Sequence, residues 1–353
     1  YKHRELLKNM KIAIITDSNS GISAEEAAAL GIGVVPMPFI IDSTVMFENV
    51  DITQEQFFDR LGKSFDVSTS QPSEESVTRL WREALSENDE IVYIPMSSGL
   101  SASCENACLY SQREEFSGRV FVADNRRISV TQRQSVLDAV TLREKGLSAA
   151  EIKAALEKVA SESSIYIMVD TLWYIKKGGR ISVAAAAIGT ILKVKPVLQI
   201  QGGKLEAYKK EKGVKHARAE MISAMENDLE KRFGGKASEK EPKIELAVAY
   251  TGKSDEAMSF SEQIKKKFPH YEVYVSPLPL SVACHIGDGA LAIACSKKLK
   301  YCGELYELFG TEKPDIPKKE KAKADKLLEK ADKFRKRAED ILEAYGEEQK
   351  GEK

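Results

Sequence analysis

Three short stretches concentrate hydroxyl groups where the chain is about to enter a helix. They are Ser18-Asn19-Ser20-Gly21, Ser68-Thr69-Ser70-Gln71-Pro72-Ser73 and Ser97-Ser98-Gly99-Leu100-Ser101. Free N–H groups and the positive dipole end at a helix N-terminus favour an anion, and Ser and Thr hydroxyls add donors. None of the three stretches carries Lys or Arg. Such a donor set suits a carboxylate or a neutral polar head better than a triphosphate, which recruits cationic clamps. Taken singly, each of these Ser or Thr residues reads as an N-cap; two such loops flanking one cleft read as a site. A fourth stretch, Cys284-His285-Ile286-Gly287-Asp288-Gly289-Ala290, places an imidazole close to two glycines that permit close backbone approach. Gly178-Gly179 allows a turn that brings Arg180 round.

Other chemistries fit less well. GxGxxG and GxSxG are absent. Ala247 to Ser254 matches a relaxed phosphate-loop pattern, but Ala247 lies inside an apolar run, which leaves too little loop to wrap phosphates. Cys284 and His285 are neighbours on an expected strand and would point to opposite faces, so they make no nucleophile–base pair. Four histidines and five cysteines without a CxxC pair leave little material for a metal site, and none is expected. The odd cysteine count fits free thiols in a reducing, cytoplasmic setting, and no signal peptide is recognised near Met10.

The elements that position these loops follow from hydrophobic patterning. Near-continuous apolar runs at 11–17, 33–41, 90–96, 119–124, 164–170, 195–200, 243–250 and 271–278 read as strands covered on both faces. Capping-box patterns at Ser23, Thr53 and Ser148 start helices between them. The alternation predicts an α/β protein with mainly parallel sheets covered by helices. The expected division is an extension over 1–10, a first α/β domain over 11–163 carrying the headgroup loops, a second over 164–305, and a tail over 306–353. Beyond Glu312 more than half the residues are charged, with the signs nearly balanced, and Ala324, Leu327, Ala331, Phe334, Ala338, Ile341 and Tyr345 form a narrow apolar stripe. That predicts a charged helical tail. A net charge of −1 argues against a nucleic-acid partner, and no apolar stretch approaches the roughly 20 residues of a membrane span.

In order along residues 11–299, Thr16-Asp17-Ser18, Thr69-Ser70-Gln71-Pro72-Ser73, Ser97-Ser98-Gly99-Leu100-Ser101, Lys176-Lys177-Gly178-Gly179-Arg180-Ile181-Ser182, Lys193-Val194-Lys195-Pro196 and His285-Ile286-Gly287 resemble the motifs of the DegV family. These are the fatty-acid-binding subunits of the bacterial fatty acid kinase system. The resemblance implies a two-domain fold that holds a long-chain fatty acid between the domains, with no other cofactor. It implies a carboxylate held by Thr69 and Ser101, with Ser98 and His285 beside them; Ser18, Ser70, Arg180 and Gly287 are secondary candidates. It also implies a carrier and not an enzyme. Its partners would be an ATP-dependent kinase subunit, which phosphorylates the carboxylate, and an acyltransferase at the membrane surface for phospholipid synthesis. The basic run Lys209, Lys210, Lys212, Lys215 and Arg218 would face the kinase. The chain departs from the family pattern at Asp288, where Pro is usual, and at Ala102, where Gly is usual. An inward-pointing Asp288 would repel a carboxylate. The alternative reading from the residues themselves is a small-molecule or phosphate-utilising enzyme that uses the Ser-rich loops.

Overall fold

The computed structural model describes residues 10–61, 66–180, 194–233 and 244–299. The charged tail, most of the N-terminal extension and the Ala-rich stretch after Arg180 lie outside these. The strands are β1 (Ile12–Asp17), β2 (Gly33–Val35), β3 (Phe39–Ile41), β4 (Thr44–Met46), β5 (Val67–Thr69), β6 (Glu90–Ile94) and β7 (Val120–Val122), then β8 (Ser163–Met168), β9 (Val194–Ile200), β10 (Leu205–Lys212), β11 (Ile244–Tyr250), β12 (Val273–Pro277) and β13 (Leu291–Lys297). The helices are α1 (Ala24–Leu30), α2 (Gln54–Leu61), α3 (Glu74–Glu87), α4 (Ser103–Ser111), α5 (Val130–Glu144), α6 (Ala149–Lys158), α7 (Trp173–Lys177), α8 (Val214–Lys231), α9 (Asp255–Lys267) and α10 (Leu280–Ile286).

A first sheet has the order β2-β1-β6-β7 and is parallel throughout. Its central strands are apolar on both faces because helices cover both, as the continuous runs predict. On one face Trp81 of α3 meets Tyr93 and Phe116 edge-on, with centroids 5.4 and 5.2 Å apart. The second sheet, β10-β9-β8-β13-β11-β12, is mixed. Only β11 and β12 run parallel in it; the other four pairings are antiparallel. A short turn, Gln201 to Lys204, suffices to join β9 to β10, whereas a parallel pair needs a crossover.

The run at 33–41 is two strands, not one. Pro36 and Pro38 remove the donors that a continuous ladder needs, so β2 stays in the first sheet and β3 crosses to a small antiparallel sheet, β4-β3-β5. Met37 between the prolines is held where its N–H donates to Ser18 Oγ (2.9 Å). The helix starts follow the capping boxes. Ser148 and Glu151 cap reciprocally, as do Thr53 and Gln56, while Ser23 Oγ accepts from Glu26 N.

The described residues form one compact unit. Helix α5 packs on β1 and β6 and also on β11 and β13. Helix α10 leaves the second sheet and inserts Leu280, Ala283 and Cys284 into the cluster formed by Phe39, Ile41 and Phe57. Gln54 Nε2 donates to the Leu278 carbonyl (3.1 Å), and Glu48 accepts from Leu280 N (2.8 Å), which ties this segment down.

Candidate functional site

The central core cluster joins the second sheet to Met37 and Met96, which follow β2 and β6 of the first, and to the start of α5, and it borders a cavity of about 210 Å³. That exceeds the roughly 150 Å³ of an apolar cavity that accepts benzene. Most of its wall is aliphatic or methionine, including Met37, Met96, Ile165, Ile167 and Ala249. Thr69, Ser70, Ser101, Arg180 and His285 also line it. Arg180 is the only cation, and no carboxylate lines the cavity, among the described residues.

Thr69 ends β5, and its Oγ1 lies 2.8 Å from His285 Nε2. His285 sits in the last turn of α10, with Gly287 as the C-cap. The sequence reading places Cys284 and His285 on a strand; the structure has the last turn of a helix there, with β13 following. Pro279 at the N-terminal edge of α10 and Gly287 beyond it are the signals that mark this. On the helix, Cys284 turns to the Phe39 cluster while His285 faces the cavity, so the two make no catalytic pair. Burial, joined by the nearby positive charge of Arg180, lowers the His285 pKa to about 4. The imidazole is therefore neutral at pH 7. Its Nδ1 is buried without a partner among the described residues, against Gly178. If Nε2 carries the single proton and donates it to Thr69, the Thr69 hydroxyl proton is left to point at a ligand.

Ser101 Oγ accepts from Ser103 N (3.1 Å) and meets Ser103 Oγ (2.8 Å), which anchors it at the start of α4. Asn106 Nδ2 donates to Gln71 Oε1 (2.6 Å), which ties the loop after Thr69 to α4. Ser97 Oγ donates to the Gly203 carbonyl (2.8 Å), and a Cβ at Gly99 would stand 2.4 Å from that same oxygen. The 97–101 loop is thus clamped on the β9–β10 turn.

Three residues singled out in the sequence take other places. Ser98 Oγ donates to Asp124 (2.6 Å) and does not line the cavity. Ser18 Oγ accepts from Met37 N. Gly287 has φ +81°, and a Cβ there would lie 2.5 Å from the Tyr174 ring, so its role is close packing. Asp288 is exposed, does not line the cavity, and accepts from Gly289 N (2.8 Å). Of the basic run, Lys209, Lys210 and Lys212 lie on the sheet edge β10, and Lys215 and Arg218 on α8. Lys209 pairs with Glu220 (2.7 Å) and Arg218 with Glu256. The cavity wall also holds Asn19, Ser129 and Ser281. Asn19 belongs to the first hydroxyl loop; nothing local marks the other two. Between β11 and α9 only Thr251 to Ser254 remain, and Thr251 Oγ1 accepts from Ala290 N (2.9 Å). No group of three or more His, Cys, Asp or Glu among the described residues is arranged to hold a metal. No helix among them is long and apolar enough to cross a membrane.

Fold and site together define an α/β protein of two main sheets with a mostly apolar cavity and a hydroxyl–imidazole pair on its wall. The sequence profile of the DegV family, described as uncharacterised proteins, matches residues 11–298, and the chain belongs to that family. A DegV domain-containing protein of Deinococcus radiodurans is 30% identical over 287 residues, which cover 81% of this chain and 98% of that one. Protein DegV of Bacillus subtilis is 28% identical over 286 residues, covering 80% and 98%. Among solved structures, a DegV family protein of Thermus thermophilus, described by its fatty acid binding, superimposes with a TM-score of 0.72 at 32% identity, over 82% of this chain and all of that one. DegV of Bacillus subtilis, described as a fatty acid binding protein, gives 0.71 at 27% identity, over 82% and 100%.

Proposed function

We propose that this chain is a fatty-acid-binding carrier. The carboxylate is held by Thr69 and Ser101, with His285 orienting Thr69, and the alkyl chain fills the aliphatic cavity. The observation that carries this is the cavity itself, apolar over most of its wall, with neutral donors and one arginine among its lining residues. Each CH₂ withdrawn from water contributes about 0.8 kcal/mol, so a long chain outweighs the desolvation of one well-bonded carboxylate. A neutral His285 leaves the site without a strong base, which fits binding more than turnover. The descriptions of the Thermus and Bacillus proteins as fatty-acid-binding support the ligand class. On the family resemblance, the bound acid is presented to a separate ATP-dependent kinase in the cytoplasm, and the acyl phosphate then goes to an acyltransferase at the membrane surface. Exposed Lys210 and Lys212 on the edge strand β10 offer a docking face for that kinase.

The test is native mass spectrometry of the purified chain, followed by extraction of what it carries. A stoichiometric fatty acid is expected, and the Thr69→Val, Ser101→Ala double variant is expected to lose it. A chain that neither carries nor takes up any fatty acid sinks the reading. Hydrolysis of ATP by the chain alone would favour the enzyme alternative.

A further inference from the structure

The cavity has a second polar place that the carboxylate contacts do not use. Asn19, Ser129 and Ser281 all line it, exposed by only 1%, 3% and 6%. They are adjacent. Ser281 Oγ donates to Asn19 Oδ1 (2.6 Å), and Ser129 N donates to the Asn19 carbonyl (2.9 Å). Two donors in this group are poorly matched. Among the described residues the Ser129 hydroxyl is enclosed without a partner, although Ser129 occupies the N-cap position of α5, where a serine side chain ordinarily caps. A single torsion sets where it points. The Asn19 Nδ2 donates to Met96 Sδ (2.9 Å), a thioether and a weak acceptor. Buried donors are satisfied in the great majority of cases, and those left over call for an explanation. A strong acceptor brought into the cavity would answer both.

The position of this place is set by α10. Ser281 and His285 are four residues apart on one helix, and both line the cavity. Four residues rise about 6 Å. An extended chain advances about 1.2 Å per bond, so the distance spans about five bonds.

Resting on the fatty-acid reading above, we propose that Ser129 and Asn19 recognise an oxygen substituent on the ligand's chain, so that the cavity selects hydroxy or keto acids oxygenated near the carboxylate over plain ones. The oxygen accepts from Ser129 Oγ and displaces the Met96 sulfur as the acceptor for Asn19. Ser281 holds the Asn19 amide in place and is a positioning residue.

The test uses the full chain, a displaceable fluorescent fatty acid, hexadecanoic acid and its positional hydroxy isomers. One isomer with its hydroxyl in the carboxyl half is expected to bind about tenfold more tightly than hexadecanoic acid, the effect of one well-made hydrogen bond. In Ser129→Ala the ratio of the two affinities is expected to fall to about one. Ser129 has φ +55°. Ser129→Gly therefore serves as a second variant, which takes that conformation without strain and also lacks the hydroxyl. Equal affinity of the natural chain for all isomers overturns the proposal and means that water serves these donors. A preference that survives in both variants overturns it too. Failure of every acid to bind overturns the fatty-acid reading itself, and this one with it.

Discussion

Gly178 offers a sharp test of the Thr69–His285 pair, because its backbone places no demand for glycine. Its φ of −73° and ψ of −9° suit any residue, and it closes α7. Alanine there would improve local helix propensity by up to about 1 kcal/mol. Yet a Cβ built at this position stands 2.1 Å from His285 Nδ1 and 2.8 Å from Cε1. An ordinary contact needs about 3.5 Å, so the ring must move by more than an ångström. The 2.8 Å contact of Nε2 with Thr69 does not survive such a shift, in whichever direction it goes. Losing that hydrogen bond, and with it the orientation of the Thr69 hydroxyl, costs about 1–2 kcal/mol of ligand binding. That is roughly five- to thirtyfold in Kd. The adjacent glycine is the control. Gly179 has φ +71° and, among the described residues, nothing within 4 Å of a Cβ. Gly179→Ala therefore carries left-handed strain of about 1–2 kcal/mol, which lowers Tm, and leaves affinity as it was. Fluorescent fatty-acid displacement with thermal unfolding on both variants decides the matter. If folded Gly178→Ala binds like the natural chain, or Gly179→Ala loses as much affinity, the reasoning about His285 is refuted.

Three further outcomes are expected. Ser98→Ala removes the hydroxyl that donates to Asp124, so it should lose about 0.5–1.5 kcal/mol of stability in urea unfolding while ligand affinity stays unchanged; a large affinity loss would return Ser98 to the site. The His285 pKa is depressed to about 4. As pH falls from about 6.5 to 4 the unfolded chain takes up a proton that the folded one refuses, and up to about 3 kcal/mol is lost. Asp17 and Asp138, both raised to about 6 by burial, act in the opposite sense over nearly the same range, so the whole-protein profile is flattened. The contribution of His285 is read as a difference: His285→Gln should gain stability relative to the natural chain on going from pH 7 to 4.5, and parallel pH profiles of the two would contradict it. Ala249→Leu places more side chain at the cavity wall; it should weaken binding of long acids more than short ones in calorimetric titration, and an unchanged chain-length preference would show that the chain runs elsewhere.

The strands buried on both faces were legible because burial leaves a local trace: IAIITD and EIVYI announce β1 and β6 on their own. Strand direction leaves no such trace. Whether β8 and β13 run together or opposed depends on how α10 returns the chain, and the second sheet proved mostly antiparallel where parallel pairing was expected. The hydroxyl loops were visible by composition, but composition does not say which hydroxyl faces inward. Ser98 and Ser101 look equivalent in sequence; Asp124, from the loop after β7, engages the first and leaves the second on the cavity wall. His285 was visible as a lone imidazole shortly before two glycines. Its pairing with Thr69, 216 residues away, is tertiary. Pro36 and Pro38 carried the signal that splits β2 from β3, and the apolar run around them masked it.

The reach of α10 into the small sheet bears on how the protein is made. Gln54 and the carbonyl it holds at Leu278 are 224 residues apart. Translation at about 5–20 residues per second puts roughly ten to forty-five seconds between the emergence of the two. Through that interval Phe39 and Phe57 have emerged, and Leu280, Ala283 and Cys284, which complete their cluster, have not. The nascent chain therefore carries an unfinished aromatic surface over β3–β5 until the segment leading into β13 has been synthesised.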